Sequence, residues 1–429
     1  VAQGYDSVVQ EYLSPGDGAG VEEDLLFRAY PSYLNVAAVE TPQTDIVYRM
    51  INNKYQLQEK MALFWHMIFC AGDNKVDNAR TTAMQYDTFR EKGMGNFRDL
   101  LLWLSTDPCM LYYLDNIESH KVAVNENYGR ELLELFSLGV GMDGKANYGE
   151  DDVKACARAF TGWNLAPTIP VFPNGRSPFE FRFDPADHDD SDKTFLGETG
   201  DWNGEDIVNI ICKQPAAARY VSRKLYDFFV ADELPVPSWT LYEPRDPEAI
   251  KILEKAYFDS GYEIGAMLKA LFTSDFFKSE AVHFAKVKSP ADVVIGTVRL
   301  VKEHTEPKPG LFFVAMEPKY MGLDLLNPPT VEGWHTGPEW INSGSLIDRI
   351  NFASGMLGNT ELPGVMSLIQ RLMAQGETMN ADQLVDGCLD LVGPMTVADE
   401  TRNELVTHVS EGGELRHGSD AERADFTRR

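Results

Sequence analysis

Four polar side chains, Asn127, Arg130, Glu131 and Glu134, recur at spacings of one, three and four within residues 125–139. At roughly 100° per residue, a helix gathers them on one narrow face. Tyr128, Leu132, Leu135 and Phe136 fall on the opposite face, and Gly139 sits where helices commonly end. An amide, a guanidinium and two carboxylates on one stripe can serve two ends. On a solvated face, Glu126–Arg130 and Arg130–Glu134 are i,i+4 ion pairs, each contributing about 0.3 kcal/mol. In a packed site the two carboxylates repel, and one holds its proton to higher pH. That group becomes the candidate catalytic acid or base, while Arg130 offsets the other or clamps an anion.

A second cluster is His188-Asp189, inside the acidic run from Asp184 to Lys193. His188 with Asp184, Asp187, Asp189 or Asp192 is a candidate ligand set, so a divalent metal is the candidate cofactor. All-oxygen ligation suits Ca²⁺; a histidine ligand suits Zn²⁺ or another transition metal. The offsets of an EF-hand are absent. The plainer reading is a solvated turn, with Lys193 clamped against Asp189. His66, beside Trp65 and one turn before Cys70, reads as a core histidine. Trp163, Trp202, Trp334 and Trp340 lie in or beside loop-rich segments. Trp163 and Trp334 are candidate platforms for sugar rings or quaternary amines, with Lys193 and His335 as polar companions, or else they pack the loops down. No Gly-x-Ser-x-Gly, P-loop, HExxH or strand-linked GxGxxG occurs, which argues against common hydrolases, nucleotide enzymes and dehydrogenases.

These groups must be held by helices. Residues 56–70 place Leu57, Met61, Phe64, Trp65 and Ile68 at helical spacing, and Asp107-Pro108 opens another helix as N-cap and first turn. Glu150, Asp151 and Asp152 begin a helix through Phe160 with acids at its positive end. Further helices are expected over 204–212, 215–229, 247–260, 264–273, 290–303, 346–357, 365–375, 380–392 and 397–410. Two long segments break the pattern, 164–203 and 305–345, both rich in Pro and Gly. In the first, Phe179-Glu180-Phe181-Arg182-Phe183 alternates as a hairpin arm. Residues 412–429 carry no apolar stripe before Phe426 and read as an unpacked tail.

The chain has 429 residues, 44% of them hydrophobic, enough for a large core. Its net charge of −27 repels nucleic acid and anionic lipid. No run of about 18 apolar residues is present to span a membrane. Cys70, Cys109, Cys156, Cys212 and Cys388 are scattered in apolar contexts, without paired spacing, and read as free thiols.

Taken in order, the segments resemble the bacterial domain of unknown function 1800 family. The resemblance rests on Phe64-Trp65-His66, Asn96 to Leu101, Asp107 to Asp115 and the stripe helix. It continues through Ala159 to Trp163, His188-Asp189, Lys193 to Gly197, Gln214-Pro215 through Lys224-Leu225 to Val230, and Lys288-Ser289-Pro290. It closes with Met321-Gly322 and Pro328-Pro329-Thr330-Val331-Glu332-Gly333-Trp334 to Trp340-Ile341. Trp65-His66-Met67-Ile68 departs from the Trp-His-Asn-His of many relatives, which removes a second histidine there. Both termini read as shorter than those of relatives.

The resemblance implies a mainly α-helical, exported protein, periplasmic or extracellular, whose relatives' genes often neighbour those of a sulfatase-like exported family. It also weighs against a solvated ladder. The expected architecture is one large helical domain, residues 1–362, bearing the loop inserts 164–203 and 305–345 and a short β-hairpin, followed by a helical extension, 363–429. The expected function is acid/base or metal-assisted chemistry on an extracellular polymer such as a polysaccharide. In it the Asn127/Arg130/Glu131/Glu134 stripe meets the His188 loop near Trp163 or Trp334. The alternative is a non-catalytic cell-surface scaffold acting with a sulfatase-like partner.

Overall fold

The computed structural model describes residues 4–14, 20–22, 24–30, 38–167, 177–393, 395–411 and 413–428. Its architecture is mainly α. Among the described residues, the β structure is four two-stranded antiparallel pairs, and no helix is long and apolar enough to cross a membrane. Helix starts follow side-chain chemistry. Asn78, Asp107, Asn203 and Asp246 each accept a backbone N–H of the first turn, and Pro108 and Pro247 open their helices.

The chain divides into two compact units, residues 1–291 with 307–345, and residues 292–306 with 346–429. The second therefore takes in 292–306 and 346–362 besides the expected 363–429. Its C-terminal part buries Leu372, Met379, Leu384, Leu415 and Phe426 together. The tail is thus packed, contrary to expectation. Leu415–Arg416 pairs with Thr378–Met379, and one helix, Asp420–Arg428, seats Phe426.

In the first unit, helix Gln56–Ile68 packs on Ala79–Lys92. Trp65 stacks on Phe69 at 4.8 Å, and Phe69 meets Phe136 edge-on at 5.5 Å. The segment 305–345 is not loop throughout, because Leu311–Tyr320 is helical and packs on Glu40–Asn52. Its consecutive apolar residues give no stripe to read, and Pro318 near its end resembles a breaker. The 164–203 segment holds the expected arm, Phe181–Phe183, paired with Trp163–Leu165. It also holds the hairpin Lys193–Phe195/Glu198–Gly200. Leu196 and Gly197 both take positive φ there, the backbone of a tight two-residue turn. All five cysteines are free, and only Cys388 is exposed.

Candidate active site

The stripe helix runs Asn127–Glu134, and its winding continues in turns to Gly139 at φ +73°. Its apolar face is sealed. Tyr128, Leu132 and Phe136 are fully buried, and the Tyr128 hydroxyl donates to Ser105 Oγ at 2.7 Å. Gly129 lets it lie against helix Glu150–Ala159, since a Cβ there would stand 2.9 Å from the Ala157 nitrogen. Arg130 then forks onto Glu150 at 2.9 and 2.8 Å and also reaches Glu126 at 3.2 Å. The Arg130–Glu134 pair foreseen from spacing does not form, because Glu150 offers both carboxylate oxygens to the planar guanidinium. Asn127 is exposed, its amide 3.5 Å from Asp115 Oδ2.

Glu131 and Glu134 are therefore left without a cation in contact, and both are half-buried. Glu134 accepts the Tyr148 hydroxyl at 3.3 Å. Tyr148 is held by its neighbour Asn147, whose amide donates to the carbonyls of Leu138 and Gly139. Burial and then Glu134 raise the Tyr148 hydroxyl's pKa. The Glu131 carboxylate has no hydrogen bond or ion pair with any described residue. Burial, then Glu134, push its carboxyl up to about 7, and Glu332 adds to this against the pull of Arg130.

Glu332 comes from the 321–334 segment, far away in sequence and pinned by long-range contacts. Leu326 N–H donates to His66 Nε2 at 3.0 Å, and Trp334 lies on the His66 ring at 5.1 Å. The Cys70 thiol donates to the Val331 carbonyl at 3.4 Å. Gly333, at φ +86°, closes a turn back to Thr330 and sits where a Cβ would meet the Met67 carbonyl at 2.7 Å. His66 is a core histidine as expected; burial holds its pKa at about 3, so the ring is neutral.

Lys224 faces the same neighbourhood from helix Pro215–Phe229, which is tied to the end of the stripe helix by the Tyr220 hydroxyl on the Leu135 carbonyl. Cys70 lies within electrostatic range of both Lys224 and Glu131, and Glu332 within range of each as well. Glu131, Glu134, Tyr148 and Glu332 thus share one electrostatic neighbourhood, which is linked through Glu332 and Cys70 to Lys224. Sequence reasoning on the stripe missed Tyr148, Glu332 and Lys224. Lys224 and Glu332 do stand in the segments that carried the resemblance, which was the available signal.

A family model described as a protein of unknown function (DUF1800) matches residues 3–422. The chain belongs to the DUF1800 family. No curated protein and no solved structure matches it.

In this DUF1800 chain the other expected site residues lie elsewhere. Among the described residues no hydrogen bond or ion pair joins the stripe side chains to the His188 loop. Arg130 binds Glu150, the first residue of helix Glu150–Ala159, whereas Arg158, near its last, binds Asp189 Oδ2 at 2.7 Å. His188 Nδ1 pairs with the Thr161 carbonyl at 2.8 Å, and its ring lies on Phe183. Burial raises the Asp189 pKa, but hydrogen bonds from Arg158 and Ser191 outweigh this and hold it far below the usual carboxylate range. Lys193 is buried and donates to the carbonyls of Asp189 at 2.6 Å and Ser191 at 2.9 Å, a structural clamp. Of the ligand atoms foreseen there, His188 Nδ1, Asp189 Oδ2 and the Asp187 carboxylate, which meets His120 at 2.6 Å, are already engaged. Among the described residues no group of three or more His, Cys, Asp or Glu converges as a metal site needs.

The tryptophans are not open platforms. Trp163 is buried between Phe160 and Phe181, and Trp334 is buried on His66. Both pack long loops onto the core. His335 is exposed and pairs with Glu339 at 2.8 Å.

Proposed function

We propose that this DUF1800 chain is an exported enzyme that performs acid/base chemistry on an extracellular polymer, with a neutral polysaccharide as the substrate class. Glu131 carries the reading: an unpartnered carboxyl ionising at about 7, beside Glu134 and Glu332. A group whose pKa lies near working pH is the most effective proton donor and acceptor. Glu131 is the acid/base residue, and Glu134 with Tyr148 forms the second proton-handling pair. The carboxylates of the cluster and a net charge of −27 disfavour an anionic polymer. Export is what the family resemblance implies.

The rival reading is a cell-surface scaffold acting with a sulfatase-like partner. It draws on the Arg130–Glu150 fork, which braces two helices. One assay separates the two. Purified protein is incubated with neutral and acidic polysaccharides, and new reducing ends are counted against pH. The enzyme reading expects release from a neutral polymer, reduced about 100-fold or more in Glu131→Gln. Binding of polymer with no release at any pH would sink it in favour of the scaffold.

A further inference from the structure

Helix Ser343–Leu357 enters the second unit at Leu346. Its start is fixed by reciprocal capping. Asn342 Oδ1 accepts the Ser345 N–H at 3.0 Å, and the Asn342 N–H donates back to Ser345 Oγ at 3.1 Å. Ser345 and Arg349 are buried, and the opposite face is open. There Leu346, Ile347, Ile350 and Leu357 are 43%, 57%, 57% and 37% exposed. Leu346, Ile350, Ala353 and Leu357 follow one another at spacings of four, three and four, the seam of a helix that packs along another helix. Charge is withheld from this face. Asp348 and Arg349 are the only charged residues between 343 and 359, in a chain of net charge −27, and Ser343 and Ser354 flank the seam. Where the chain leaves a helix in water it charges it: Asp399–Ser410 buries no side chain and carries Asp399, Glu400, Arg402 and Glu404. Two copies of so acidic a chain repel, and they meet most easily where carboxylates are absent.

We propose that this seam is a self-association surface, on which a second copy of the chain lays the same helix antiparallel about a two-fold axis. The order of the side chains selects the direction. With the axis between residues 351 and 352, Leu346 meets the partner's Leu357, and Ile350 meets the partner's Ala353, so a large side chain packs on a small one. A parallel pair sets Ala353 against the partner's Ala353 and Ile350 against the partner's Ile350, leaving a gap at one level and a crowd at the next. The same patch serves both copies, so the assembly closes as a dimer. Four side chains per copy make a small interface, and the pairing is weak and reversible, in the micromolar range.

The test is sedimentation velocity of the full chain over a range of concentrations. A monomer–dimer equilibrium is expected, and added salt should strengthen it by screening the repulsion between two acidic copies. Ile350→Glu places a carboxylate in the seam and should weaken the dimer about 30-fold or more. Ile252→Glu, at a comparably exposed apolar position on helix Pro247–Asp259, should leave it unchanged. The direction is read with cysteines in a Cys388→Ser background, which removes the exposed thiol. Under mild oxidation, Ile350→Cys mixed with Ala353→Cys is expected to cross-link faster than either variant alone. Fastest cross-linking of Ile350→Cys with itself means a parallel pair and overturns the antiparallel dimer. Equal weakening by Ile252→Glu overturns the assignment to this seam. A chain that stays monomeric at every concentration overturns the proposal, and a melting temperature lowered by Ile350→Glu would then show the face to be covered within its own chain.

Discussion

Replacing Glu131 by Gln keeps the shape of the side chain and removes its charge. In the folded chain the carboxyl titrates at about 7, against 4.5 for an ordinary glutamate. A shift of that size is a differential of about 3 kcal/mol between protonation states. Glu131 is only half-buried, so solvent screening brings the effect to roughly 1–2 kcal/mol. The sign follows from linkage. Below about pH 4.5 both folded and unfolded chains hold the proton, and the contribution is fully present. As pH rises through 7, the folded carboxylate ionises beside Glu134 and Glu332, and that stability is lost. Wild type should therefore fall behind Glu131→Gln between pH 4.5 and 8. In a unit of this size each kcal/mol moves Tm by about 1–2 °C, so the gap should widen by roughly 2–3 °C. Thermal melts followed by circular dichroism across that range measure it. A Tm difference that stays flat with pH would refute the argument, since an ordinary carboxylate gives no such slope.

Three further outcomes are expected. Gly129→Ala should destabilise the first unit by about 1–3 kcal/mol in urea unfolding, because the new Cβ meets Ala157 backbone atoms at 2.9 and 3.1 Å and the helices must part. Arg223→Met should cost about 3–5 kcal/mol, since Glu233, 2% exposed, is left charged and buried; an unchanged urea midpoint would contradict this. Lys193→Met leaves the carbonyls of Asp189 and Ser191 without their donor, which costs about 1–3 kcal/mol and should speed hydrogen exchange over residues 184–195 while sparing the stripe helix.

Local patterns were legible and remote ones were not. The two faces of the stripe helix follow from helical geometry alone, as do the Asp107 cap and the strand at Phe181–Phe183. What the stripe faces depended on contacts far apart in the chain. Arg130 chose Glu150 over Glu134 because the Gly129–Ala157 approach brings a second helix alongside. Glu332 joins the site because His66 and Cys70 pin a loop more than 250 residues away in sequence. Neither fact has a periodicity to read. The acidic run reads differently for a related reason, since Arg158 takes an Asp189 oxygen and His120 an Asp187 oxygen from far along the chain. The tail misled because a single apolar residue, Phe426, suffices when it reaches a core already built.

The proposed chemistry requires Glu131 to be a carboxyl that holds its proton to near neutral pH. A ¹³C-carboxyl NMR titration of the folded wild-type chain reads that directly. The expected Glu131 midpoint is about 7, lowered when Glu332→Gln or Glu134→Gln removes a neighbouring charge. A midpoint near 4.5 that ignores both substitutions would contradict it.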